Sequence, residues 1–223
     1  MAAVAVILPC YGRHEQTLEY AQRMVRKAGA VEALWYAVGG TAEAATIDAL
    51  VDTRKWIGSC GPAERFTYWQ ALAEGEATLP VWADEFGDPP VLCAVANDVW
   101  AGDDWLQRGL AAYHERFPDG EGLMGFAGDG HEVGHSCHFL IGRRLLSHLG
   151  GWPAHYRHNF GDTELCLRAQ ALGRYGKATH AVLEHKHVWA GKAEDDAVYQ
   201  AGRAGWAEDE ALFVARQARG WQS

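Results

Sequence analysis

The chain has 223 residues, 48% of them hydrophobic and 22% charged, which suffices for one large α/β domain or two small ones with a sizeable core. Its formal net charge of −9 argues mildly against a general polyanion-binding protein, and its five scattered cysteines, with no CxxC pair, predict reduced thiols of a cytoplasmic protein. Neither a signal peptide nor a membrane span is predicted, because the apolar start is short and no apolar run is long enough to cross a bilayer.

Apolar runs and amphipathic stretches alternate along the chain. Strands are predicted at residues 3–8, 33–38, 56–57, 91–96, 123–127, 138–141 and 178–183. Helices are predicted at residues 15–27, 41–52, 64–74, 105–117, 143–149, 163–172 and 195–217. The early apolar runs do not alternate with polar residues, as is typical of strands buried on both faces of a parallel sheet. The pattern predicts one α/β domain with a mostly parallel, doubly wound sheet flanked by helices.

Asn97 and Asp98 directly follow an uncharged apolar run. An aspartate at the carboxyl end of such a strand lies where open α/β sheets bind ligands. Its carboxylate is suited to a divalent cation, which prefers oxygen ligands. The alternative is that Asp98 only caps a turn. Asp104 is expected to cap the helix that follows.

Two histidines, His185 and His187, follow the last predicted strand. Side chains two residues apart lie on the same face of a strand. The pair could therefore complete a metal site with Asp98. The alternative is a polar cluster in a loop.

The segment from His131 to His135 matches HExxH, in which two histidines bind zinc when they lie one turn apart on a helix. Glycines at 128, 130 and 134 disfavour a helix here. A metalloprotease is therefore disfavoured. A loop that contacts a substrate is the preferred interpretation, and a solvated surface loop is the alternative.

Asp162 stands at the predicted start of a helix, directly after a glycine. An aspartate at that position can simply cap the helix. It can also act as a general base exposed at the mouth of the sheet. Glu164 and Arg168 are four residues apart on the same helix and can form an ion pair.

Four blocks of sequence follow one another along nearly the whole chain. The first is VAVILPCYGR at 4–13, and the second is NDV at 97–99 with Gly102, Trp105 and Leu106. The third is GGW at 150–152 with GDTELCLR at 161–168, and the fourth is His185. They resemble, in order, the motifs of family 2 (GT-A) inverting glycosyltransferases. The first is similar to the opening strand and nucleotide loop, and the second to the metal-binding DxD region. The third is similar to the GGF…GEDxDLxxR block, and the fourth to the histidine after the next strand.

Three positions depart from the pattern of that family. Ala96 stands at the first acidic position of DxD, so that Asp98 alone remains. Gly161 replaces the glutamate of the ED pair, which leaves Asp162 as the base. The usual DDGS after the second strand is absent, and residues 38–41 read VGGT instead, so the usual aspartate contact to the nucleobase is not expected.

The resemblance implies inverting transfer of a sugar from a nucleotide sugar, most simply a UDP-sugar, to an acceptor hydroxyl with a divalent cation, Mn²⁺ or Mg²⁺. It divides the single domain 1–223 into a donor half (about 1–100), an acceptor half (about 101–190) and a C-terminal helical tail (about 191–223). The implied roles are metal binding by Asp98, His185 and His187; donor binding by Pro9, Tyr11, Arg13, Arg65, Tyr68, Asn97 and Asp98; catalysis by Asp162; and acceptor contacts by Asp129, His131, His135 and Trp152.

Two other classes of function stay open. The departures from the motifs make a non-catalytic module that binds a nucleotide sugar or a glycan plausible as an alternative. A nucleotidyltransferase on a similar fold would need more carboxylates for two metals than the sequence offers. The sequence does not identify the acceptor; the candidates are a glycan, a protein or a modified base in DNA, the last as in some phage transferases, which work in the host cytoplasm. The acidic net charge disfavours DNA.

Overall fold

The apolar runs of the sequence form one sheet with helices on both faces. The computed structural model describes residues 4–60, 67–79, 89–130 and 134–221. Their strands are β1 (Val4–Pro9), β2 (Ala33–Gly39), β3 (Trp56–Cys60), β4 (Val91–Ala94), β5 (Val99–Ala101), β6 (Leu123–Ala127), β7 (Phe139–Gly142) and β8 (Tyr175–His185). Their α-helices are α1 (His14–Arg26), α2 (Ala44–Val51), α3 (Tyr68–Thr78), α4 (Trp105–Arg116), α5 (Arg143–His148), α6 (Gly161–Ala171), α7 (Ala197–Ala204) and α8 (Trp206–Ala218).

The strands lie in the order β3-β2-β1-β4-β7-β6-β8-β5. The first four are parallel, as predicted for an α/β sheet. Alternate residues of β1 enter two separate cores, with Val4, Val6 and Leu8 on one face and Ala5 and Ile7 on the other. Burial on both faces explains why β1 contains no polar side chain. The α/β fold class is therefore confirmed.

The second half of the sheet is mixed, which the sequence did not predict. β7 runs antiparallel to both β4 and β6, β8 runs parallel to β6, and β5 runs antiparallel to β8. An antiparallel neighbour needs only a loop as its connection, and the segment 128–138 between β6 and β7 supplies one without a described helix. The strand predicted at 91–96 ends at Ala94, and the chain re-enters the sheet beside β8 as β5, which was not predicted.

Two helix starts differ from the predictions. Asp104 has a left-handed φ of 55° and makes no capping hydrogen bond, so it is not the predicted cap of α4. Instead the carbonyl of Lys27, at the end of α1, accepts the Trp105 amide at 3.2 Å. α3 begins at Tyr68 rather than near 64, because Thr67 and Gln70 form a capping box.

The C-terminal tail forms two helices, α7 and α8, where one was predicted. The break lies at Gly205, the residue between them. Among the helices described here, none combines the length and the apolar character that crossing a membrane requires.

Candidate active site

Asp98 and His185 lie side by side at the carboxyl edge of the sheet. Asp98 lies in the turn between β4 and β5, and the register of β5 on β8 pairs Val99 with His185. Nε2 of His185 is 3.3 Å from Oδ1 of Asp98. The amide of Lys186 donates to the carbonyl of Asp98 at 2.8 Å. Strand pairing thus brings together two residues that the sequence suggested as metal ligands.

His138 completes a group of three ligands, although the sequence did not single it out. It precedes β7, whose antiparallel register on β4 pairs Phe139 with Ala94. The ring centroids of His138 and His185 are 4.8 Å apart. One ligand atom from each of Asp98, His138 and His185 lies within 4.8 Å of the other two. A carboxylate and two imidazoles suit a divalent transition metal.

The polar atoms of this group also fit a cation. Within the described residues, both ring nitrogens of His138 are buried without a hydrogen bond, whereas Oδ1 of Asp98 faces Nε2 of His185. Buried polar atoms of native proteins almost always have a partner. A cation between His138 and Asp98 would give His138 the partner it lacks, so the residues present fit a metal site.

The charges of the group favour the ligating forms of Asp98 and His138. Burial opposes the ionisation of Asp98, but His185, His138 and Arg13 together lower its pKa well below the usual aspartate range. Burial, together with the charge of His185, lowers the pKa of His138 to about 3. Burial also opposes the charged form of His185, yet the negative charge of Asp98 raises its pKa. At neutral pH the group therefore contains an ionised carboxylate and a neutral His138, as a metal requires, and a metal would displace the proton that Asp98 favours on His185.

His187 lies beside this group and not within it. Its ring centroid is 4.8 Å from that of His185, and its Nδ1 accepts from the amide of Trp189 at 3.2 Å. Burial and the charge of His185 lower its pKa to about 4. The alternation of strand side chains does not extend to His187, because β8 ends at His185 and the chain turns into a short 3₁₀ helix at Val188–Ala190. Among the described residues the three-ligand group contains His138 in its place.

Arg13 lies between two carboxylates. Its Nη1 is 3.5 Å from Oδ2 of Asp98, while Nε and Nη2 donate to both oxygens of Asp196 at 2.6 and 2.8 Å. Its guanidinium carbon lies 3.9 Å from the centroid of the Tyr199 ring. Burial opposes the charge, but the hydrogen bond to Asp196 and the charges nearby raise the pKa of Arg13. The arginine suggested for donor binding is therefore held at the site by the C-terminal tail.

The loop after β1 is fastened to the turn after β4 by Asn97. Its Nδ2 donates to the carbonyl of Tyr11 at 3.1 Å and to Oγ1 of Thr17 at 2.9 Å. Pro9, the last residue of β1, is in register with Val38 of β2. Asn97 thus holds the loop at Tyr11 against the turn that carries Asp98, and Pro9 ends the strand before that loop.

Tyr68 and His158 both lie within electrostatic reach of Asp98 and Asp162. The Tyr68 hydroxyl donates to the carbonyl of Val95 at 3.4 Å, and its ring packs edge-on against His158 at 6.5 Å. Burial raises the pKa of Tyr68 well above its usual value, and the two aspartates add to this. Burial lowers the pKa of His158 despite the same two aspartates. Both side chains are therefore neutral at neutral pH.

Asp162 pairs with His135 and does not cap α6. The residue before the helix is Phe160, which has a φ of 66° and makes no side-chain cap. Oδ1 of Asp162 accepts from the amide of Thr163 at 2.8 Å, and Oδ2 is 3.2 Å from Nε2 of His135. Burial opposes the charge of Asp162, but His135 lowers its pKa well below the usual range. Burial likewise opposes the charge of His135, and Asp162 raises its pKa. About a fifth of each side chain is exposed, so a substrate can reach the carboxylate.

Two further residues suggested for the acceptor side are buried. Asp129 accepts from the amide of Cys137 at 3.1 Å and from Nζ of Lys177 at 3.0 Å, and so holds the loop between β6 and β7. Trp152 is 7% exposed and stacks on Phe139 with ring centroids 6.3 Å apart. Both side chains pack within the fold.

The HExxH segment is described only from Gly134 onward, where φ is 76° and no helix forms through residue 138. His131 and Arg65 lie outside the described residues. His135 contacts Asp162, which the sequence did not suggest.

The chain has been compared with known proteins. Neither the protein families nor the curated proteins contain a match. Among solved structures, the mannosyltransferase PcManGT from Pyrobaculum calidifontis, in complex with GDP-Man and Mn²⁺, is similar over 98% of this chain and 64% of its own, with a TM-score of 0.69 and 14% identity. This chain thus spans less than two thirds of that enzyme.

Two further structures are similar at lower scores. A Drosophila β-1,4-galactosyltransferase 7 mutant, in complex with manganese, UDP-Gal and xylobiose, gives a TM-score of 0.55 and 13% identity over 88% of this chain and 76% of its own. A cytidylyltransferase from Leptospira borgpetersenii gives a TM-score of 0.53 and 7% identity over 84% of this chain and 80% of its own. At these identities the similarity establishes the fold: the chain has the GT-A type α/β fold seen in glycosyltransferases.

Proposed function

We propose that this protein transfers a sugar from a nucleotide-sugar donor to an acceptor hydroxyl, with inversion and with the help of a divalent cation. One observation carries the proposal. A group of metal-ligand type, Asp98, His138 and His185, and a partly exposed carboxylate, Asp162, lie within electrostatic reach of each other at the carboxyl edge of a GT-A type sheet. Ligands bind at that edge in open α/β sheets.

Asp98, His138 and His185 would hold the cation. Bound there, Mn²⁺ or Mg²⁺ would neutralise charge on the diphosphate leaving group. Two imidazole ligands favour Mn²⁺ over Mg²⁺, which prefers oxygen. The manganese in the complexes of the mannosyltransferase and the galactosyltransferase supports the same choice.

The donor would bind beside Arg13. A guanidinium presents paired N–H donors that match phosphate oxygens. Arg13 already has one edge directed at Asp98, and its other edge binds Asp196. A nucleotide sugar, which we infer to be a UDP-sugar, would have its diphosphate between Arg13 and the cation group. The loop at Tyr11 would contact the nucleoside.

Asp162 would be the general base. Its pKa lies well below the usual range, so the carboxylate is ionised at neutral pH and can accept the proton of an acceptor hydroxyl. His135 and the Thr163 amide each hold one oxygen of this carboxylate, which fixes its orientation. The oxygen of the deprotonated hydroxyl would attack the anomeric carbon opposite the leaving diphosphate, which inverts that centre.

The test is hydrolysis or transfer from a panel of nucleotide sugars with Mn²⁺, with wild type, Asp162→Asn and Asp103→Asn. Asparagine keeps the size of the side chain but cannot take up the proton. We expect Asp162→Asn to retain nucleotide binding and to lose about 10²- to 10⁴-fold in rate, the contribution of a general base. Asp103 is exposed and pairs with Lys27, so Asp103→Asn should act as wild type. Equal rates in all three proteins would exclude Asp162 as the base.

Nucleotidyl transfer is the second candidate, since the cytidylyltransferase shares the fold. Release of pyrophosphate from a nucleoside triphosphate would favour it. Binding of a nucleotide sugar with no turnover in the wild-type protein would instead favour a non-catalytic module.

A further inference from the structure

A second group of metal-ligand type surrounds Asp162. His135, Cys137 and Asp162 each place one ligand atom within 4.8 Å of the other two. Nε2 of His135 is 3.2 Å from Oδ2 of Asp162. The group differs from the first in its chemistry, because it contains a sulfur ligand.

The ligand types indicate which ion would bind. Thiolate sulfur is a soft ligand that selects zinc-like ions, whereas Mn²⁺ and Mg²⁺ prefer oxygen. Zinc is commonly bound by three protein ligands drawn from cysteine, histidine and carboxylate, with a fourth position open. We propose that His135, Cys137 and Asp162 form a zinc site, separate from the cation site at Asp98, and that zinc bound there inhibits the protein.

The surrounding contacts hold the ligands in place before any ion binds. Asp129 accepts from the amide of Cys137 and from Lys177, which itself donates to the carbonyl of His135 at 3.0 Å. The loop is thus fixed at the two ligand-bearing residues, and Asp162 is fixed by the first turn of α6. Such support reduces the ordering cost of metal binding. The ion would bind the thiolate, so binding would release the thiol proton to the buffer.

Inhibition follows from the role of Asp162 and therefore rests on the proposed function. A carboxylate oxygen that coordinates zinc is not available to take a proton from an acceptor hydroxyl. Mn²⁺ at Asp98 would support transfer, while zinc at Asp162 would block it. The existence of the site itself does not depend on the reaction.

Cobalt titration of the 223-residue protein without donor tests the site. Co²⁺ takes the place of Zn²⁺ in such sites and reports a bound thiolate by a charge-transfer absorption band. We expect the band in wild type and in Asp98→Asn, displacement of the band by one equivalent of Zn²⁺, and its loss in Cys137→Ser. Cys10→Ser is the control, because Cys10 is another of the described cysteines that form no disulfide but lies outside the group, and it should keep the band.

Zinc X-ray absorption on the wild-type protein provides a second measurement that needs no variant. One sulfur in the zinc coordination shell is the expected result. A shell of nitrogen and oxygen alone, or a thiolate band that survives in Cys137→Ser, would overturn the zinc site.

The inhibition is measured as transfer at fixed Mn²⁺ with rising Zn²⁺. In Cys137→Ser the inhibitory zinc concentration should rise at least about 10-fold, since even changes outside the ligand shell cost 10- to 100-fold in metal affinity. Equal inhibition of wild type and Cys137→Ser would reject the inhibitory role. A thiolate band in a protein that transfers no sugar would reject the proposed function and leave the zinc site standing.

Discussion

The phenol oxygen of Tyr199 lies 3.1 Å from Oδ2 of Asp98 and 2.6 Å from the carbonyl oxygen of Lys186. A phenol has a single proton, so it cannot donate fully to both acceptors. The shorter distance identifies the Lys186 carbonyl as the main acceptor. This hydrogen bond therefore attaches helix α7 to the chain just after β8. It also places Tyr199 beside the candidate cation site, although Tyr199 and Asp98 are 101 residues apart in the sequence.

Tyr199→Phe should lower the free energy of unfolding by about 1 kcal/mol, because the Lys186 carbonyl loses its donor. It should leave Mn²⁺ affinity close to wild type, since Asp98 keeps His185 and Arg13 as neighbours. Urea unfolding and calorimetric Mn²⁺ titration in the presence of UDP measure the two quantities. A loss of Mn²⁺ binding as large as that of Asp98→Asn would contradict this account.

The choice between His138 and His187 is the sharpest test of the cation site. His138→Asn should weaken Mn²⁺-dependent UDP binding by at least about 10-fold, as expected for loss of a ligand. His187→Asn is the matched control and should change it little, because His187 lies outside the three-ligand group. Calorimetry of both variants measures their Mn²⁺-dependent affinities for UDP. A larger loss in His187→Asn than in His138→Asn would identify His185 and His187 as the histidine ligands.

The parallel half of the fold and two carboxylates of the candidate site, Asp98 and Asp162, could be predicted from the sequence. Uncharged apolar runs predict strands buried on both faces, and the residues that follow such strands lie at the ligand-binding edge. Asp98 and Asp162 could be found in this way because each stands next to an element whose direction is predictable.

His138 could not be predicted, because its place depends on the antiparallel pairing of β7 with β4. A single histidine before an apolar run is consistent with either direction of that strand. Asp196 and Tyr199 belong to a charged, alanine-rich tail whose pattern predicts a helix but not the surface on which it packs. Contacts between residues about 100 to 180 positions apart are set by tertiary packing, and local sequence patterns do not predict them.

His135 is expected to position Asp162. His135→Ala should lower kcat by about 10- to 100-fold through misplacement of the carboxylate, with Mn²⁺ binding unchanged. His135→Gln retains an N–H donor for Oδ2 and should recover part of the loss. Steady-state kinetics with a melting curve for each variant measure this. Equal rates for alanine, glutamine and wild type would show that Asp162 needs no partner.

Glu164 is fully buried and joins α6 to α8. Its oxygens accept from Nε and Nη2 of Arg216, each at 2.9 Å, from Arg168 at 2.9 Å and from the hydroxyl of Tyr156 at 2.8 Å. The predicted pair with Arg168 is thus part of a larger network. Burial opposes the charge of Glu164, but Arg216, His155 and Tyr156 lower its pKa well below the usual glutamate range.

A depressed pKa makes the network a source of stability that depends on pH. The folded state binds the proton of Glu164 more weakly than the unfolded state, so its contribution is complete above the ordinary glutamate pKa of about 4.3 and declines as pH falls below it. Glu164→Gln should lower the free energy of unfolding by about 3 kcal/mol at pH 7, because it leaves the partly buried guanidinium groups of Arg168 and Arg216 without their carboxylate, and by progressively less below pH 4.3. Urea unfolding between pH 3 and pH 7 measures the difference. Glu208→Gln, at the exposed pair with Arg157, should have no measurable effect at any pH, and a Glu164→Gln deficit that stays constant down to pH 3 would show that the charge of Glu164 is not its cause.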